Sequence, residues 1–201
     1  MLKIIAAAEI GKKVVEGIKA SVEAGAALEQ SIGGIETLFK ESSDTMIQYA
    51  NNAFRTCGLS ANDYMETTTS FAASMLSSVG GDTAKAAELS NNALIAMSDN
   101  ANKMGTNMQD IQNAYQGFAK QNYTMLDNLK LGYGGTKEEM QRLLSDANKL
   151  NKQQGIITDY SIDSFADITE AIQVVQDNLG ITGTTALEAA STLSGSFGTM
   201  K

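Results

Sequence analysis

Apolar residues recur along this chain at steps of three and four, in runs separated by glycines that a helix-capping residue follows. Met108, Ile111, Tyr115 and Phe118 step by 3, 4 and 3, the stripe of an α-helix facing one partner. The same count continues through Asn122, Met125 and Leu129, which predicts one helix from Asp110 as far as Leu131. Gly132, Gly134 and Gly135 then stop it, because glycine reaches left-handed conformations that other residues avoid. Thr136 restarts the pattern with Glu139 at the capping-box position, and Met140, Leu143, Ala147 and Leu150 repeat the stripe. Residues 110–150 are therefore expected to form a helical hairpin. Asn122 either sets the register of the first seam or marks a bend, and the sequence leaves both open.

The rest of the chain follows the same grammar. Ile4, Ala8, Gly11, Val15, Ile18, Val22 and Gly25 step by 4 and 3, a heptad seam lined partly by small residues. Gly33-Gly34 is expected to kink or end that element. Ser42-Ser43-Asp44 is read as the cap of a helix with the stripe Ile47, Ala50, Phe54 and Cys57. Gly58 ends it, and Ser60 with Asp63 caps a helix striped by Tyr64, Thr68, Phe71, Met75 and Val79. Gly80-Gly81-Asp82 precedes Leu94, Met97, Ala101 and Met104, and Gly105 is followed by a Thr106–Gln109 box. Ile156-Ile157-Thr158-Asp159-Tyr160 has strand-like composition but nothing to pair with, so it is read as an extended connector. Ser161 or Ser164 caps Phe165, Ile168, Ile172, Val175 and Leu179; Thr185 and Glu188 make a further box. Beyond Leu187 and Ala190 the stripe thins without a clear final helix, as expected of a fragment of a longer chain.

These elements predict an all-α protein of about seven or eight helices, arranged as glycine-punctuated hairpins in an elongated bundle or self-associating coiled coil. Three segments follow from the breaks: 1–40, a small-residue-rich heptad helix; 41–155, a helical hairpin region; and 156–201, C-terminal helices with a truncated end.

Composition narrows the function classes. The 201 residues include no proline, which would break helix interiors, and ten methionines, which fill loose helix seams. Net charge is −8, with 15 basic residues scattered among 23 acidic ones, so autonomous nucleic-acid binding is not expected. No apolar run reaches the ~18 residues of a membrane span. A membrane-surface role for the Ala/Gly-rich N-terminal helix is the alternative function, as a membrane-active or host-envelope-binding module.

No residue is assigned a catalytic, cofactor-binding or metal-ligating role. With no histidine to activate it, the single cysteine, Cys57, reads as a small buried hydrophobe. Gly132 to Lys137 resembles a phosphate loop only superficially, since Lys137 is followed by Glu138 and not by Ser or Thr. Glu138, Glu139 and Asp146 read as a solvated helix face, with Glu138 placed to pair Arg142 and Asp146 to pair Lys149.

The run NAYQGFAKQNYTMLDNLKLGYGGTKEEMQRLL, Asn113 to Leu144, resembles tail tape-measure proteins of long-tailed phages and prophages of Gram-positive bacteria. The resemblance extends through Leu28–Phe39, Gly58–Leu76, Asp99–Gln109 and Leu179–Lys201. It implies a non-enzymatic structural protein, lying in several copies in the tail-tube lumen of the virion after assembly in the host cytoplasm. Such a protein sets tail length and leaves ahead of the DNA during genome ejection. The implied partners are the tail tube protein, tail assembly chaperones and further copies of itself.

Overall fold

The computed structural model describes residues 25–198, with side chains as far as Ser191. The seam from Ile4 to Val22 lies outside the described residues. The class is all-α, with no strand among the described residues. Helix α1 occupies 25–39 and reaches α2 (Ser43–Thr56) through a 3-10 turn, Lys40–Ser42. Then follow α3 (Ala61–Ser78), α4 (Thr83–Met104), α5 (Met108–Phe118), a 3-10 turn at Leu126–Leu129, α6 (Lys137–Gln153), α7 (Phe165–Asn178) and α8 (Thr184–Gly198).

Several punctuation marks act as the sequence predicts. Ser60 Oγ accepts the Asp63 N–H at 3.1 Å, Asp82 Oδ1 accepts that of Lys85 at 2.9 Å, and Ser164 accepts that of Asp167 at 3.2 Å. Gly105 closes α4 in the left-handed region at φ 63°. Residues 156–160 are an extended connector without ladder partners.

Other expectations fail for identifiable reasons. Gly33 and Gly34 lie inside α1; Gly34 is where the helix passes close to α3, since a Cβ there would come within 3.2 Å of the Thr69 methyl. The break falls instead at Lys40, which adopts φ 48°. Ser42 does not cap α2 with its side chain, because its hydroxyl is shared with Thr83 at 2.9 Å. Helix α2 buries Met46, Ala50 and Ala53, and Cys57 just past its end is buried too, while Phe54 is 62% exposed. Of the expected stripe, Ala50 and Cys57 are buried and Ile47 packs against the core; only Phe54 turns outward, its place taken by small Ala53.

The helix begun at Asp110 does not run to Leu131. It ends at Phe118, where Gln121 takes φ 58° and the Asn122 N–H turns back to the Gly117 carbonyl at 2.9 Å. Asn122 lies beyond the helix and neither sets a seam nor bends one. Its Oδ1 accepts the Thr124 N–H at 3.1 Å and the Thr124 hydroxyl at 2.8 Å, a local turn. Nor do residues 110–150 close on themselves as a hairpin: α6 packs on α7, whereas α5 packs on α3, α4 and the second 3-10 turn. At α5 the cap is Asn107, not Thr106, its Oδ1 accepting the Gln109 N–H at 2.8 Å. Helix α8 extends to Gly198, past the point where its stripe thins.

One contiguous cluster of buried side chains runs from Ile35 to Ile181. Its members come from all three of the segments named from the sequence. Helix α4 is its axis, packing against α2, α3, α5, α7 and α8. Ala86, Ala87, Leu89, Ala93, Leu94, Ala96 and Met97 are buried there together with Ser90, Ser98, Asp99 and Asn100. That is far wider than a two-in-seven stripe, and it identifies α4 as an interior helix. Phe71 of α3 meets Phe165 of α7 with ring centroids 5.7 Å apart, joining the two sides of the core.

Candidate functional site

Three arrangements stand apart from ordinary core packing. The first is the loop before α6, within the stretch that carries the resemblance. Arg142 reaches back over it: its guanidinium sits 4.3 Å above the Tyr133 ring and donates to the Gly132 carbonyl at 2.8 Å. The same group holds Glu139 through contacts of 2.6 and 3.0 Å, and Asp146 lies 3.9 Å away. Glu139 also accepts the Gly134 N–H at 3.0 Å, and the Tyr133 hydroxyl donates to Asp146 at 3.1 Å. Beneath the loop, a side chain on Gly135 would collide with the Thr124 carbonyl oxygen.

The electrostatics follow from these contacts. The Arg142 guanidinium, helped by the Gly134 N–H, holds the Glu139 carboxyl down at about 2. Burial lifts the Tyr133 phenol to about 12, and the nearby Asp146 carboxylate adds to the effect. Thr136 caps α6 as predicted, accepting the Glu139 N–H at 3.2 Å, but Glu139 reaches Gly134 and not the Thr136 N–H. The expected Glu138–Arg142 pair is replaced by Glu139–Arg142, because the arginine turns toward the loop. Asp146 and Lys149 do pair, at 3.0 Å. This cluster pins a loop; its carboxylate is committed to its cation.

The second arrangement is a latch on α8. Asp99 is fully buried in α4, and its carboxylate accepts the N–H of Gly183 at 2.7 Å and that of Thr185 at 2.8 Å. Those are free N–H groups of the first turn of α8, so the cap comes from another helix instead of a Thr185–Glu188 box. The polar run Ser98-Asp99-Asn100 inside an apolar helix was its signal in the sequence. Asn100 uses the same strategy, donating to the Leu129 carbonyl at 2.9 Å.

The third is a groove of about 640 Å³ between α6 and the 156–162 connector. Asn148 and Asn151 fasten the connector to α6. Asn148 Oδ1 accepts the Thr158 hydroxyl at 2.8 Å and the Tyr160 N–H at 3.2 Å; Asn151 Nδ2 donates to Thr158 and to the Tyr160 hydroxyl. Ile156 and Ile157 lie over the groove 50% and 95% exposed, with Leu144, Lys149 and Lys152 on the helix side. Two adjacent β-branched apolar side chains this exposed are the feature that the sequence reading passed over as a connector.

Cys57 is buried as expected, and burial pushes its thiol up to about 11. It is a protonated packing residue at neutral pH. No described helix is long and apolar enough to cross a membrane. Compared with protein-family models, curated proteins and solved structures, the chain matches none.

Proposed function

We propose that this chain is part of a phage tail tape-measure protein, a non-enzymatic structural protein that sets tail length during assembly and leaves during genome ejection. The observation that carries the reading is the run Asn113–Leu144 together with the four further stretches that resemble that family. Those stretches contain residues with definite structural work: Asp99 latching α8, Asn107 capping α5, and Gly135, Glu139 and Arg142 shaping the loop before α6. Its partners are the tail tube protein, tail assembly chaperones and further copies of the chain, and its place is the tube lumen of the virion.

Within that role, residues 25–191 act as a folded module instead of the graduated part of the ruler. A graduated ruler needs span proportional to residue number, and helices folded about a shared core do not supply it. The heptad seam from Ile4 to Gly25 has the pattern for the extended part.

The test is to quantify the chain by mass spectrometry in purified virions of a phage encoding it, before and after triggered DNA ejection. It is expected in intact particles at several copies and depleted from emptied ones. A chain missing from intact virions overturns the reading.

A further inference from the structure

We propose that the groove between α6 and the connector is the contact surface for a second copy of this chain, joined by antiparallel pairing of the two 156–160 segments. The segment is already extended; the N–H groups of Ile156 and Tyr160 bond Asn151 and Asn148 of α6, whereas those of Ile157 and Asp159, on the opposite edge, bond no described residue. It therefore offers a strand edge. Proteins that keep such edges monomeric place proline, charged side chains or a bulge in them; Ile156-Ile157-Thr158-Asp159-Tyr160 contains no proline or lysine and a single charge, Asp159. Strand addition supplies backbone bonds, and the apolar groove receives side chains from alternate positions.

Charge selects a second copy as the occupant. Lys152, on the groove wall, and Asp159, on the segment, are both exposed and make no ion pair among the described residues. A two-fold contact is self-complementary, so each residue meets its counterpart twice. With Ile157 opposite its own copy, Ile156 faces Thr158 of the other copy, and Asp159 faces Gly155. The Gly155 N–H bonds the Lys152 carbonyl at 3.1 Å, so this register carries the Asp159 carboxylate to the end of α6 where Lys152 stands. Two unpaired charges in one chain become two ion pairs across the axis, around a centre of β-branched cross-strand pairs. The inference does not depend on the tape-measure reading.

Sedimentation velocity of the full chain over a concentration series up to ~1 mM tests it, since a contact this small belongs to the weak end of interface affinities. The expected result is a reversible dimer. Ile157→Lys should weaken association at least about tenfold, with the helical circular dichroism unchanged. K152E and D159K should each weaken it, because each places like charges across the axis. Their equimolar mixture should associate more tightly than either alone, as one ion pair reforms with its original sign and the other with reversed sign. A wild-type chain that stays monomeric throughout the series overturns the proposal and leaves the groove to a different extended segment. Association unaffected by Ile157→Lys, such as through residues 1–24, also overturns it.

Discussion

The buried carboxylate of Asp99 accepts the backbone N–H of Thr185 across 86 positions of sequence, at 2.8 Å. With the Gly183 N–H on its other oxygen, it fixes the start of α8 to the middle of the interior helix. Asp99→Ala should therefore cost about 2 kcal/mol, since charge-assisted hydrogen bonds are lost and two helix-terminal donors are left without an acceptor. Glu188→Ala should change stability by less than about 0.5 kcal/mol, because that exposed side chain takes no part in the cap. Urea unfolding of the two variants separates the models. A large loss from Glu188→Ala and none from Asp99→Ala would restore the local capping box.

The Glu139–Arg142 pair gives the fold an acid sensitivity. Glu139 ionises at about 2 in the folded protein, well below the ordinary glutamate value of about 4.3. A carboxyl depressed on folding stabilises the native state above its unfolded value, and that contribution is lost as pH falls through the interval down to the folded value. Urea midpoints of the wild type should fall between about pH 5 and about pH 2, and E139Q should show a shallower fall over the same window. Equal slopes for the two proteins would mean that the pair is no tighter than an ordinary surface contact.

Tyr64 and Tyr115 make a matched pair for the energetics of the core. Both are fully buried, and burial raises both phenols. The Tyr64 hydroxyl donates to Asn91 at 2.8 Å, whereas that of Tyr115 finds no partner among the described residues. Tyr64→Phe should lower stability by about 1 kcal/mol, while Tyr115→Phe should be neutral or raise it by a similar amount. Thermal unfolding of both variants decides this; equal losses would indicate a partner for Tyr115 such as a buried water.

Much of this fold could be read from local sequence, because caps and stripes are local devices. Ser60, Asp82, Thr136 and Ser164 each accept an N–H three residues ahead, a relation visible in the letters. What could not be read depends on contacts far along the chain. The α5 stripe continues in sequence through Asn122 and Leu129, yet the helix stops at Phe118. There Ser74 donates to the Ala119 carbonyl at 3.0 Å, and the Tyr123 hydroxyl crosses to the Ile162 carbonyl at 3.1 Å. Periodicity cannot register such bonds, which anchor the following turn to α3 and the connector. The α2 stripe fails at Phe54 for a related reason: hydrophobicity favours Phe54, whereas close packing favours Ala53 beside it. The latch left only the polar run Ser98-Asp99-Asn100 as its trace, because a carboxylate within a helix reads as solvated until its distant donors are known.

The proposed ruler makes a quantitative claim about the part of the chain before the folded module. If the heptad seam spans the tube as helix, each residue removed shortens the tail by about 1.5 Å. Deleting Val15 to Ser21 removes one heptad and keeps the seam in register, so tails should shorten by about 10 Å per copy of the deletion. Removing four residues instead would rotate the seam by about 40° and disturb packing for reasons unrelated to length. A deletion inside α4 should behave differently again, because it destroys the axis of the core and not a unit of span. Leu94→Asp would do the same by burying an unpaired charge, and should stop tail assembly without yielding short tails. Electron micrographs of phage carrying single, double and triple heptad deletions would show tail length falling linearly with residues removed. Tails of constant length across that series would mean that the N-terminal segment anchors or ejects the protein, and that the graduation lies elsewhere in the particle.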